Sequence, residues 1–179
     1  SISLYALAGL NRVDKLSNEA SLKYFLLGSL ASCILIYGVS LVYVSFSVLS
    51  VYDFATGVGF VGADSVPLTT KLGVILIFIG LLFKIAAAPF QSWAPDVYQG
   101  SPTGYVGYMA SIAKASAFIV IARLCQVSLR FMPNEFDSFF LFVVILSVVI
   151  GSIFASVQDD LKRLLAYSGV VQSGFILSG

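Results

Sequence analysis

The sequence predicts an all-α integral membrane protein, a multi-helix bundle of about four complete and two partial transmembrane helices. Two observations carry this. Of 179 residues, 59% are hydrophobic and only 11% charged, against about 25% charged in an ordinary soluble domain. Uncharged runs recur along the chain, the longest 29 residues, and about 20 apolar residues cross a bilayer as a helix.

Taken in order, Ile2–Leu10 is the tail of a span. Tyr24–Tyr52, uncharged over 29 residues, is a full span, with Ser17 or Asn18 as N-cap and Glu19 and Lys23 in its first turns. Leu72–Phe90 follows a loop containing Asp53, Gly57, Gly59, Gly62, Asp64 and Pro67. Thr103–Ala122, extensible to Arg130, holds Lys114. Ser138–Gln158 gives 21 uncharged residues between Asp137 and Asp159. Leu164–Gly179 begins a last span, opened by Lys162 and Arg163 as interfacial anchors.

The whole of 1–179 is expected to form one membrane domain with both ends cut within helices, and a partner chain or further sequence is expected to cover those ends, because half-helices cannot stand alone in lipid. No basic segment precedes the apolar start, so a signal peptide is not expected. Arg12, Lys15, Lys23, Lys162 and Arg163 fall on one side of the membrane, and Lys71, Arg123 and Arg130 on the other. Five against three is too even to fix orientation by the distribution of positive loops.

Composition also excludes. Ten basic and nine acidic residues nearly cancel, so nothing supports a nucleic-acid partner. The absence of histidine removes histidine-based metal sites, axial haem histidines and Ser-His-Asp catalysis. Cys33 and Cys125 lie in apolar runs without CxxC spacing and read as reduced packing residues. There is no phosphate-binding glycine loop and no set of cluster-ligand cysteines, so no catalytic, cofactor-binding or metal-binding residue is expected.

Lys114 stands out. It is the lone charge in Val97–Ala122, ten residues after Gly104 and nine before Arg123, about 15 Å and 13 Å from those residues along a helix. That is the middle of a hydrocarbon core roughly 30 Å thick. An ammonium there costs about 2.5–3.5 kcal/mol or more, which marks a site on an ion or proton path. Lys84 repeats the pattern in the preceding span. The nine acids, from Asp14 to Asp160, all map to loops or helix ends, so neither lysine has an internal counter-ion. Such a buried lysine can gain and lose a proton, as a relay requires. The competing reading is snorkelling, a lysine stem in lipid with its head in water. The reach needed at Lys114 exceeds a side chain, whereas Lys84, five residues before Pro89, could attain it.

Between Pro89 and Pro102 three prolines and a glycine in fourteen residues preclude a regular helix. One reading is an interfacial loop with Trp93 and Tyr98 as aromatic anchors. The other is a helix break beside a polar cavity, which a lysine just before the break favours. On the last helix Tyr167, Ser168, Gln172 and Ser173 are polar. Gln172 could extend a water chain, or these residues are interhelical packing contacts.

The strings Phe83-Lys84-Ile85-Ala86-Ala87-Ala88-Pro89-Phe90 and Trp93-Ala94-Pro95-Asp96-Val97-Tyr98-Gln99-Gly100-Ser101-Pro102 resemble the signature of the antiporter-like subunit 2 family of NADH–quinone oxidoreductase, respiratory complex I. Ser17–Phe25, Ala113-Lys114-Ala115 and Lys162–Ser168 match it in the same order. The resemblance implies an antiporter-like fold with a discontinuous helix near Lys84–Pro95, and proton translocation coupled to quinone reduction through lysines and water. Lys84 matches the lysine of the family's discontinuous seventh helix and Lys114 that of its eighth. The glutamate that pairs with the first would lie before Ser1, and the last relay lysine beyond Gly179. Gln91, Gln172, Lys162 and Glu19 form a possible accessory polar path. Gln91 and Gln172 stand where the family often has histidine, and an amide cannot carry charge as imidazole does.

NADH, FMN, iron–sulfur clusters and quinone are expected on other subunits, which makes the chain part of an enzyme without holding its redox site. The expected partners are other membrane-arm subunits, a second polypeptide carrying the rest of the subunit, and the lipid bilayer. The expected location is the mitochondrial inner membrane, multi-pass, or alternatively a bacterial plasma membrane. The functional alternatives are a cation/proton antiporter subunit and a structural membrane scaffold.

Overall fold

In a computed structural model, which describes residues 2–10, 14–48, 50–61, 66–128 and 133–179, the described residues are helical with short connections. The elements are α1 (Ile2–Ala8), α2 (Lys15–Phe46), α3 (Val51–Val61), α4 (Leu68–Lys84), α5 (Trp93–Gly100), α6 (Thr103–Tyr108), α7 (Lys114–Ser128), α8 (Pro133–Ser156) and α9 (Leu161–Ser178). A π-helical turn, Met109–Ala113, joins α6 to α7 without a break in the chain's direction. Arg12, Gly62, Asp64 and Arg130, assigned above to loops and anchors, lie outside the described residues.

Among the described residues three helices, within Lys15–Phe46, Thr103–Gln126 and Asp137–Ser156, are long and apolar enough to cross a membrane. The 17-residue α4 is followed by a break at residues 85–92 and the eight-residue α5. Helix α2 carries the inverse of a soluble helix's pattern. Leu22, Phe25, Leu30, Ile36 and Val44 are exposed, while Ala20, Gly28, Ala31 and Gly38 are buried. Lipid makes no distinction between one apolar side chain and another, so close backbone packing selects small residues for the inward face. Gly38 and Gly73 meet there: a Cβ on Gly38 would lie 2.6 Å from the carbonyl oxygen of Gly73, and one on Gly73 would lie 2.9 Å from that of Gly38. Gly80 approaches Ala31 and Leu35 one turn-pair further along.

Several boundaries differ from the sequence reading. Asp14, not Ser17 or Asn18, caps α2, its Oδ1 accepting from the Leu16 N–H at 3.1 Å. Ser17 is instead buried within the helix and donates to the Ala8 carbonyl at 3.1 Å, tying α2 to α1. The stretch read as a loop from Asp53 contains helix α3, with Asp53 in its first turn, where a carboxylate complements the helix dipole. Helix α8 starts five residues early, at Pro133, in the first position that proline favours because its missing N–H would have no partner there.

The largest correction concerns Pro89–Pro102. Trp93–Gly100 is a helix despite its proline, because Pro95 is the third residue of α5, within the first turn, where N–H groups have no helical acceptor. Trp93 and Tyr98 are 3% and 2% exposed, so they are core residues and not interfacial anchors. Trp93 stacks on Tyr24 and Phe83, and its indole N–H donates to the Phe83 carbonyl at 3.1 Å, bridging the two halves of the broken span.

Candidate functional site

The break itself follows from four residues. At the end of α4 the Ala86 N–H donates to the Phe83 carbonyl at 3.0 Å and the Ala87 N–H to the Leu82 carbonyl at 3.1 Å. With Ala86 at φ 56° this is a Schellman termination, alanine occupying the left-handed position that glycine usually takes. Pro89 has no N–H, so the Ile85 carbonyl loses the donor that helix continuation would supply. Residues 85–88 are fully buried, and a polar group freed in lipid must find a partner in a neighbouring helix. Two serines provide it. The Ala88 N–H donates to Ser147 Oγ of α8 at 2.9 Å, and the Ser173 hydroxyl of α9 donates to the Ile85 carbonyl at 3.0 Å. Both serines are nearly or wholly buried.

Lys114 opens α7 directly after the π-helical turn, a local underwinding often found at functional sites. It is 7% exposed, and its Nζ donates to the Gly169 carbonyl of α9 at 2.9 Å. A Cβ on Gly169 would sit 2.8 Å from that nitrogen, so a residue without a side chain is what lets the amine reach the backbone. A hydrogen bond from a charged donor is worth about 1.5–3 kcal/mol, comparable with the roughly 2.5–3.5 kcal/mol cost of the charge at this depth. The site therefore tolerates an ammonium without fixing it there. The Ser173 hydroxyl also lies 2.8 Å from the Gly169 carbonyl. Lys114, Gly169, Ser173 and Ile85 are thus joined by consecutive contacts, from the middle of one span to the break beside Lys84.

Lys84 departs from expectation. It is not buried: as the last residue of α4 it is exposed and borders an open cavity of about 410 Å³ that includes Tyr5, Tyr24, Trp93, Tyr108 and Ser116 in its walls. Among the described residues neither Lys84 nor Lys114 pairs with a carboxylate. The two lysines do not share that cavity. Lys114 faces α9, while its neighbours Ala113 and Ser116 line the cavity beside Lys84.

The accessory residues separate into three places. Gln91 lies in the break, where its Oε1 is buried without a hydrogen-bond partner among the described residues. Gln172 is exposed, so the interior polar position on α9 is its neighbour Ser173. Glu19 and Lys162 belong to a charged cluster at one end of the bundle. Lys23 pairs with Glu19 at 2.7 Å and with Asp96 at 2.8 Å, and Arg163 pairs with Asp96 at 2.8 Å. Arg163 also donates to Gln99 Oε1, and Gln99 donates to Asp160 Oδ2, both at 3.0 Å. Lys162 Nζ donates to the Ser101 carbonyl at 2.9 Å, a cation at the C-terminal end of α5 where the helix dipole favours it. The cluster ties α2, α5 and α9 together and places Lys23, Lys162 and Arg163 at one end. Ser147 gave no sign of itself in the sequence. Ser173 did, as one of four polar residues on the last helix, but nothing there set it above Gln172.

A family model described as NADH:quinone oxidoreductase/Mrp antiporter, TM, matches residues 1–179. Curated relatives include NADH-quinone oxidoreductase subunit N of Beutenbergia cavernae, 42% identical over all of this chain and 34% of its own length. Another is the chloroplastic NAD(P)H-quinone oxidoreductase subunit 2 of Mesostigma viride, 39% identical over 98% of this chain and 35% of its length. A solved structure of respiratory complex I from Thermus thermophilus with bound aureothin superposes with a TM-score of 0.79 at 39% identity, over 96% of this chain and 35% of that one. The chain spans about a third of the length of the relatives it matches. In each, the matched stretch lies inside one longer polypeptide, so they lend no support to a second chain carrying the remainder.

Proposed function

The chain belongs to the NADH:quinone oxidoreductase/Mrp antiporter family of membrane proteins, and from that premise we propose that it is the middle part of a proton-translocating subunit of an NADH–quinone oxidoreductase, with Lys84 and Lys114 as relay sites. The observation that carries this reading is Lys114: a mid-span amine, 7% exposed, held by one carbonyl and, among the described residues, no carboxylate. An ammonium whose stabilisation roughly matches its burial cost is poised to exchange a proton. Lys84, open to a cavity at the broken helix, would exchange with water or with a carboxylate on the family's remaining length.

In this reading the chain binds no redox cofactor, and NADH, flavin, iron–sulfur clusters and quinone act on other subunits of a membrane arm. The location is an energy-transducing membrane. A bacterial plasma membrane fits the bacterial relatives, and the mitochondrial inner membrane stands beside it on the resemblance alone.

The test is Lys114→Ala in the assembled, reconstituted complex. Proton uptake into vesicles should fall at least tenfold while assembly is preserved. Undiminished pumping would sink the relay and leave a scaffold. A cation/proton antiporter, the second reading because the family model spans both, would purify without flavin and iron–sulfur proteins.

A further inference from the structure

We propose that Ser173 is a positioning residue that couples Lys114 to the broken helix, its hydroxyl proton turning between two carbonyls according to whether Lys114 occupies one of them. This rests on the relay reading of Lys114.

A serine hydroxyl has one hydrogen to donate, yet Ser173 Oγ lies within hydrogen-bond distance of two acceptors, Ile85 O at 3.0 Å and Gly169 O at 2.8 Å. A carbonyl oxygen has two lone pairs. In α9 the Gly169 carbonyl receives the N–H four residues on, that of Ser173 itself. Lys114 Nζ, at 2.9 Å, takes the second place. With Lys114 there, the Ser173 hydrogen is directed to Ile85 O, whose own helical donor is missing because residue 89 is proline. When Lys114 withdraws from Gly169, the nearer acceptor becomes free and the hydroxyl can turn to it. Ile85 O is then a buried acceptor without a donor, which loosens the segment next to Lys84. One rotation of a hydroxyl thus transmits the position of one lysine to the backbone that carries the other. Ser147 provides the contrast. It also anchors the break, through the Ala88 N–H at 2.9 Å, while the side-chain hydrogen bonds to Gly169 among the described residues come from Lys114 and Ser173.

The experiment is hydrogen–deuterium exchange of the Ala86, Ala87, Ala88 and Phe90 amides in the full assembled complex, for a set of variants. Lys114→Met should speed exchange about fivefold in the wild-type background, the size of one lost neutral hydrogen bond. In the Ser173→Ala background, where exchange is already raised, Lys114→Met should add nothing, and in the Ser147→Ala background its full effect should remain. Such non-additivity is the signature of contact within one network. An equal Lys114→Met effect with and without the Ser173 hydroxyl overturns the proposal, as does no effect in wild type. If Ser173→Ala prevents assembly, Ser173→Thr and Ser173→Val give the same comparison at matched shape: the threonine should preserve the Lys114→Met effect and the valine abolish it. Exchange reads the coupling alone. Pumping by Lys114→Met reads the relay, so either can fail while the other stands.

Discussion

Lys114 Nζ donates to the Gly169 carbonyl at 2.9 Å, and a Cβ added to Gly169 would lie 2.8 Å from that same nitrogen. The glycine therefore sets how closely a mid-membrane amine can approach a helix backbone, and this makes the site testable without touching the lysine.

Gly169→Ala should separate stability from function. Among the described residues, the close neighbour of the new methyl outside its own helix is the end of the Lys114 side chain, which can move aside, and alanine favours the helix over glycine by about 1 kcal/mol. Thermal stability of the complex should change little or fall slightly, the helix gain offsetting only part of the lost lysine hydrogen bond, while proton pumping falls several-fold. A variant that pumps normally would show that the Gly169 contact is dispensable.

Gly38→Ala is the same substitution with the opposite outcome. Its methyl would meet the Gly73 carbonyl at 2.6 Å and the Ile77 backbone nitrogen at 2.9 Å. Neither can rotate away, so α2 and α4 must separate. We expect most of the assembled complex to be lost, read by native gel electrophoresis of membranes. Assembly at wild-type levels would mean that the two helices pack further apart than described here.

Ser147→Ala leaves the Ala88 N–H buried without a partner. Stranding a buried donor costs about 1–3 kcal/mol, so the melting temperature of the complex in detergent should fall by several degrees. Ser147→Cys, keeping a weak acceptor at nearly the same volume, should recover part of the loss. Equal melting of wild type and Ser147→Ala would place the Ala88 N–H elsewhere.

Asp96→Asn tests the charged cluster. Asp96 joins Lys23 of α2 to Arg163 of α9, each at 2.8 Å. The partners are partly exposed, and such pairs are worth at most about 1 kcal/mol each. The expected loss is a few degrees of melting temperature at low salt, shrinking in 1 M salt, where the screening length is about 3 Å. A loss independent of salt would point to packing instead of charge.

The spans were legible because uncharged length is a one-dimensional property. Lys114 was legible for the same reason: its depth follows from counting residues to the nearest charges. The helix α3 was not, since two glycines and an aspartate read as a loop when packing is left out, and α5 was not, since proline's effect depends on whether it falls in the first turn or later. Lys84 shows a different failure. Its sequence neighbourhood resembles that of Lys114, but exposure depends on which helices stand beside it, and those come from distant parts of the chain.

By itself the sequence determined that this protein is a membrane bundle, that the helix after Lys84 breaks, and that two lysines lie within the spans without acids beside them. These are consequences of composition, proline placement and residue count. Only the tertiary structure decided what each lysine meets. Pro89 orphans the Ile85 carbonyl wherever the chain goes, but the donor that answers it, Ser173, is 88 residues away. A buried hydrogen bond requires both groups at about 3 Å, and a distance of that size across the bundle is fixed by how the helices pack.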